Sequence, residues 1–148
     1  MNDALRDFPT RLSRAVEGLS ADALQRPETA GKWSIAQVIA HLTQFELIIA
    51  VRIRTILGGD TPSLLALDQE RWVRDVYRGE PVSEMIEQLA FLRRMTLSLL
   101  DRLTEDDWDR AGIHPQYGHN TIRQLVARYE QHQEKHLRQI ERIKAAHR

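Results

Sequence analysis

The sequence predicts an all-α protein, a bundle of four main helices with a long connection holding a minor helix between the second and third. Three observations predict it. Apolar residues recur at three- and four-residue spacing along most of the chain, Ser, Thr and Asn stand where helices would be capped, and Gly or Pro interrupts the pattern between them. Length and composition agree. A chain of 148 residues suits one domain with a sizeable core, and 42% hydrophobic with 28% charged residues is a globular balance.

The first helix is expected to open near Pro9, since proline suits a first helical position, and to run through Leu12, Val16 and Leu19. Ser20 to Leu24 reads as a capped extra turn, and Pro27 and Gly31 mark a loop. The second helix opens after Trp33 with Ser34 as N-cap. It carries Ile35, Val38, Leu42, Phe45 and Ile49 on one face and stops at Gly58-Gly59. The stretch from Gly58 to Pro81 is long for a link between neighbouring helices, and holds a minor helix over roughly Leu64 to Tyr77 that could serve as a crossover or a lid. The third helix is placed from Val82 to Leu103, with Met85, Leu89, Leu92, Leu99 and Leu103 inward, and Thr104 begins a short acidic turn. A loop from Gly112 to Asn120 follows. Asn120 or Thr121 then caps a fourth helix running almost to the end of the chain.

Lys plus Arg and Asp plus Glu each total 21, so no net field draws nucleic acid or an anionic membrane, and neither is expected as a partner. No unbroken apolar run reaches the ~18 residues of a membrane span, and Met1-Asn2-Asp3-Ala4 lacks the basic-then-apolar pattern of a signal peptide, so a cytoplasmic location is expected. There is no cysteine, which leaves His, Asp and Glu as the available metal ligands.

The chemistry is concentrated in histidines. The inner stripe of the fourth helix reads Ile122, Leu125, Val126, Tyr129, His132, His136, Ile140, Ile143. His132 and His136, four residues apart, share a face and can reach one ion, although in a single sequence such a pair is more often a surface coincidence or a satisfied buried pair. His41, three residues after Val38, also faces inward on the second helix. Three neutral imidazoles would leave a divalent ion, zinc, nickel or iron(II), with positions open to water or substrate. The spacing is not that of a zinc protease, because Gln133 follows the first histidine and Glu134 projects about 160° away from it, so no built-in general base is visible.

Gly31-Lys32-Trp33-Ser34-Ile35, then Val38 and His41-Leu42, resembles the second-helix signature of the DinB/YfiT-like metalloenzymes. His132-Gln133-Glu134-Lys135-His136-Leu137-Arg138-Gln139-Ile140 resembles their last-helix motif, and Gly112-Ile113-His114-Pro115 with Tyr117-Gly118 resembles a loop of one branch. The likeness runs from about Leu12 to Ile143. It implies a single four-helix-bundle domain over residues 1–148, with a metal held by one histidine of the second helix and two of the fourth, here His41, His132 and His136. Two positions depart from the pattern, Gln133 and Gln44 standing where relatives often have Asp, which bears on how the ligands are oriented rather than on the ligands.

Relatives of this kind include S-transferases dependent on bacillithiol or mycothiol, a mycothiol-dependent maleylpyruvate isomerase and hydrolases. The resemblance therefore implies a metal-dependent transferase or hydrolase acting on a small molecule, with any thiol supplied by a low-molecular-weight cosubstrate, and a homodimer. The alternative is a non-catalytic metal-binding or self-associating bundle of a stress or damage response. Gln37, Trp72, Tyr129 and His114 are the candidate pocket residues: Gln37 and Tyr129 each stand one turn before a ligand, Trp72 lies in the long connection, and His114 in the loop before the last helix. His119 reads as a solvated loop residue, His147 as a frayed end, and Trp33 and Trp108 as rings closing the ends of the core. Helix lengths place the metal nearer the start of the second helix, ~10 Å along it, and favour the second and fourth helices running antiparallel.

Overall fold

The structure is a computed structural model and describes residues 2–147. Its elements in chain order are α1 (Asp3–Ala15), α2 (Ala21–Gln25), α3 (Ile35–Leu57), α4 (Gln69–Asp75), α5 (Val82–Leu100), α6 (Glu105–Trp108), β1 (Ala111–His114), β2 (Gly118–Thr121) and α7 (Ile122–Ala146). The long helices α1, α3, α5 and α7 form the four-helix bundle that the sequence predicts.

The first helix departs from expectation at its start. It begins at Asp3, so Pro9 lies in its interior and supplies no N–H to the carbonyl of Leu5 four residues back. Arg93 of α5 takes that carbonyl instead, donating from Nη1 to Leu5 O at 2.7 Å. A proline that local rules place at a helix start is thus accommodated inside the helix by a partner from another one.

The capping signals lie where the sequence has them. Ser34 and Gln37 form a reciprocal capping box at the start of α3, and Thr121 and Gln124 form another at α7. Thr121, rather than Asn120, is therefore the cap. Thr104 caps α6, and α5 has already ended at Leu100. Leu92, Leu99 and Leu103 are only half-buried, while Arg93 and Thr96 occupy inner positions of α5. The minor helix α4 is shorter than predicted, with Asp68 as its cap. The loop before α7 is a hairpin, β1 pairing antiparallel with β2 in the register Ala111 to Thr121. That small sheet is the one non-helical addition among the described residues.

Two apolar clusters fix the helix directions. One joins Leu12 and Ala15, Ile35 to Leu42, Val82 to Leu89, and Ile140 and Ile143. The other joins Leu5, Ile49 to Ile56, Leu97 and Leu100, and Ile122 to Tyr129. Hence α3 and α5 run parallel, α1 and α7 run parallel to each other, and the two pairs are opposed. A parallel α3 and α5 oblige residues 58–81 to return from one end of the bundle to the other, which is why that connection is long. It is pinned on the way: Ile113 N donates to Pro62 O at 2.8 Å and Leu64 N to Ile113 O at 2.9 Å. Gly112 sits so close to this strap that a Cβ there would lie 2.7 Å from Leu64 Cδ2.

The helix α3 also qualifies a sequence expectation. With 23 residues and mean hydropathy 1.3 it is long and apolar enough to cross a membrane by length and composition, yet 72% of that stretch is buried in the bundle. It is the core helix, touching α5, α7 and α4.

Candidate metal centre

The antiparallel run of α3 and α7 brings His41, one turn beyond the capping box, against the middle of α7. Ring centroids lie 4.7 Å apart for His41 and His136, 5.1 Å for His41 and His132, and 4.5 Å for His132 and His136. One potential ligand nitrogen from each falls within 4.8 Å of the others. His41 Nε2 and His132 Nε2 stand 3.1 Å apart. Bonds of ~2.0–2.1 Å to one ion hold neighbouring nitrogens about 3.0–3.4 Å apart, so this pair already has the spacing of two ligands.

The surroundings keep the rings neutral. Burial, then the neighbouring His136 and Lys135, pushes His41 from the usual 6.5 down to about 3. His132 falls to about 2, again through burial first and then His136, His41 and Lys135. Burial also lowers His136, against an upward pull from its bond to Gln139. That bond joins His136 Nδ1 and Gln139 Oε1 at 2.8 Å; since an amide oxygen only accepts, Nδ1 carries the proton and Nε2 keeps a free lone pair. His41 Nδ1, by contrast, is buried without a hydrogen-bond partner. Trp33 packs at 5.3 Å from His41, and Phe45 at 4.2 Å from His132, so one side of the cluster is apolar.

His41 and His136 are buried and His132 is half-buried, opening onto a cleft of about 680 Å³. Phe45 and Tyr129 form its floor beside His132, the 66–69 segment and the 114–117 turn its walls, and Arg52, Arg128 and Lys135 its cations. A larger groove of about 1010 Å³ lies between α1, α2 and the start of α5, but it contains no histidine and is remote from the cluster. Chemistry singles out the smaller cleft.

The predicted pocket residues divide. Tyr129 and His114 line the cleft. His114 Nδ1 accepts from the backbone N–H groups of Gln116 and Tyr117, which leaves its proton on Nε2, and burial with Arg52 and Arg128 lowers its pKa. Gln37 is spent on the capping box, its Oε1 accepting from Ser34 N. Trp72 is outside the cleft lining and meets Gln44 through its carbonyl, 3.2 Å from Gln44 Nε2. His119 is exposed, whereas His147, expected to fray, lies with Nε2 2.9 Å from Pro27 O.

Sequence reasoning missed three features. Gln139 orients His136, and its signal was available: three residues on, it shares the helix face. Gln133 faces away from the histidines; its amide accepts from Arg93 at 2.8 Å and donates to Ala4 O at 3.0 Å. Its departure from the family pattern therefore belongs to the bundle's interior. Arg52, only 4% exposed, carries no motif or spacing that singles it out in the sequence.

The chain matches the family described as the DinB superfamily over residues 4–140. A protein of Oceanobacillus iheyensis, provisionally named a metal-dependent hydrolase, is 29% identical over 136 residues, covering 92% of this chain and 79% of its own. A Bacillus cereus protein with the same provisional name is 24% identical over the same shares. The fold is similar to that of YfiT from Bacillus subtilis, described as a probable metal-dependent hydrolase with an unusual four-helix bundle topology, at a TM-score of 0.89 and 24% identity over 96% of this chain and 82% of the other.

Proposed function

The chain belongs to the DinB superfamily, and from that premise we propose that it is a metal-dependent hydrolase of a small molecule, with His41, His132 and His136 as the metal ligands. The observation that carries the reading is the convergence of three neutral imidazoles from two helices, one of which, His132, opens onto a cleft. A divalent ion held there by His41, His132 and His136, zinc, nickel or iron(II), would supply Lewis acidity and make water or a thiol more acidic.

The chain's own residues do the rest. Gln139 fixes the tautomer of His136, and Phe45, Trp33 and Tyr129 exclude bulk water from the inner wall. Asp68 is the only carboxylate in the cleft lining among the described residues, and its Oδ1 already accepts from Arg71 N. No carboxylate general base accompanies the histidines in the cleft lining, and His114, whose proton sits on Nε2, faces the cleft as a hydrogen-bond donor.

Thiol-dependent S-transfer is the second reading. A cleft of about 680 Å³ leaves room for a cosubstrate beside a small substrate, and a chain without cysteine would need one. We further propose that two copies pair: Leu47, Val51, Phe91 and Met95 are exposed apolar residues of α3 and α5.

The test is metal stoichiometry in protein purified without a polyhistidine tag, together with hydrolysis of 4-nitrophenyl acetate with and without added thiol. His132→Ala and His136→Ala are expected to lose the metal and the hydrolysis while keeping the helical circular dichroism. Full metal content in both variants refutes the ligand set. A metal-replete, folded protein inactive on every ester and electrophile tried favours the non-catalytic bundle.

A further inference from the structure

Arg52 is a buried cation without an anion. It projects from α3 into the wall of the cleft and is 4% exposed. Its Nε donates to Leu65 O at 3.0 Å, and its guanidinium lies 5.8 Å from the Phe45 ring centroid. Among the described residues it makes no ion pair, and its terminal nitrogens make no well-formed hydrogen bond, the Tyr129 hydroxyl being their polar neighbour. Other buried charges of the bundle are paired, as Arg93 is with Glu46 at 2.7 Å. A largely buried guanidinium whose terminal nitrogens open only onto the cleft is costly to the fold, and an anion seated there would offset that cost.

Tyr129, close enough for Arg52 to lower the pKa of its hydroxyl, lines the same cleft and adds a second observation. It is 5% exposed, and its hydroxyl is buried without a hydrogen-bond partner. Burial holds its pKa up at about 12 although Arg52 pulls it down, so the hydroxyl is a neutral donor. A buried donor without an acceptor is uncommon in native folds and marks a place where a ligand atom belongs. Arg52 and Tyr129 share one cleft with His132, and its other charges are Arg128, Lys135 and Asp68, a cationic balance. Arg128 is already engaged, stacked 3.7 Å over Tyr117 and bonded to Asn120.

We propose that Arg52 and Tyr129 form an oxyanion subsite that binds a carboxylate or phosphate group of the small-molecule substrate while its reacting bond lies at the histidine cluster. The assignment rests on the cleft being the substrate site, and it narrows the substrate class to anionic small molecules. The planar fork of Arg52 suits two oxygens of such a group, and the Tyr129 hydroxyl supplies a further donor.

The experiment is calorimetric titration of zinc-loaded full-length protein with succinate and with inorganic phosphate, and with succinamide as the neutral control. Wild type is expected to bind at least one of the two anions and not succinamide; which one binds names the group. Arg52→Gln should weaken that binding by about tenfold or more, as for a lost charge-assisted hydrogen bond, and Arg52→Lys should restore part of it. Tyr129→Phe keeps the packing and removes only an unpartnered hydroxyl, so it should fold at least as stably as wild type yet bind several-fold more weakly. Anion affinities unchanged in Tyr129→Phe and in folded Arg52→Gln, or wild type binding neither anion above succinamide, overturn the subsite. Zinc content measured on the same samples separates the two readings: stoichiometric zinc without Arg52-dependent binding leaves the metal centre standing and removes only this inference.

Discussion

Each of the three clustered histidines has a depressed basicity, and this makes acid the natural probe of the site. In the unfolded chain an imidazole titrates near 6.5, whereas in the fold His41 titrates at about 3 and His132 at about 2. Between those values the unfolded chain binds protons that the folded chain refuses, so stability is complete above pH 6.5 and falls as pH drops toward 3. Metal-free protein should therefore show a urea midpoint that declines from pH 7.5 to pH 5, and the decline should flatten in a His41→Asn, His132→Asn double variant. A midpoint independent of pH over that range contradicts the burial of neutral imidazoles. The histidines themselves were legible because a ligand on a helix must share its neighbours' period. Gln37 misled for the same reason: a residue one turn before His41 satisfies the period equally well, although its place three after Ser34 also spells the capping box it forms.

At the scale of helices, the central fact is that Arg93 ties all four together. It clasps both carboxylate oxygens of Glu46 on α3, at 2.7 and 3.0 Å, and reaches Leu5 O on α1 and Gln133 on α7. Both ends of the ion pair are buried, at 5% and 2% exposure. Arg93→Met would strand Glu46 and release the carbonyl left free by Pro9, at a cost of about 3–5 kcal/mol, whereas Arg93→Met with Glu46→Leu should recover much of that loss. Equilibrium denaturation of the three proteins checks it, and a single variant as stable as wild type would show that the clasp is dispensable. The same clasp explains where sequence reasoning stopped. Helix identity, capping and the apolar stripes were readable from period and cap chemistry, but the start of α1 was misplaced because its proline is compensated 84 positions away in sequence, Leu5 to Arg93 being 88. The hairpin of β1 and β2 was invisible for a similar reason, since its four-residue strands are too short to show an alternation.

For the molecule as a whole, the first expectation concerns assembly. Light scattering should report the mass of two chains, and a single-chain mass at micromolar concentration would remove the pairing proposed above. A second consequence follows from the parallel pairs of helices. In a bundle whose four helices simply alternate in direction, the chain's first and last helices finish side by side. Here α1 and α7 point the same way, with Ala4 level with Gln133 and His147 beside Pro27. The step from 133 to 147 is 14 residues of helix and its cap, or about 21 Å at 1.5 Å per residue. Re-stitching the protein head to tail, with new ends opened at the exposed Ala30 and Gly31, would therefore need a bridge of about six residues fully stretched, and closer to ten in practice. A ten-residue Gly/Ser bridge should give a permuted chain that melts close to the parent, and a three-residue bridge one that cannot close; the bundle's unusual winding thereby becomes a molecular ruler, readable from melting temperatures alone.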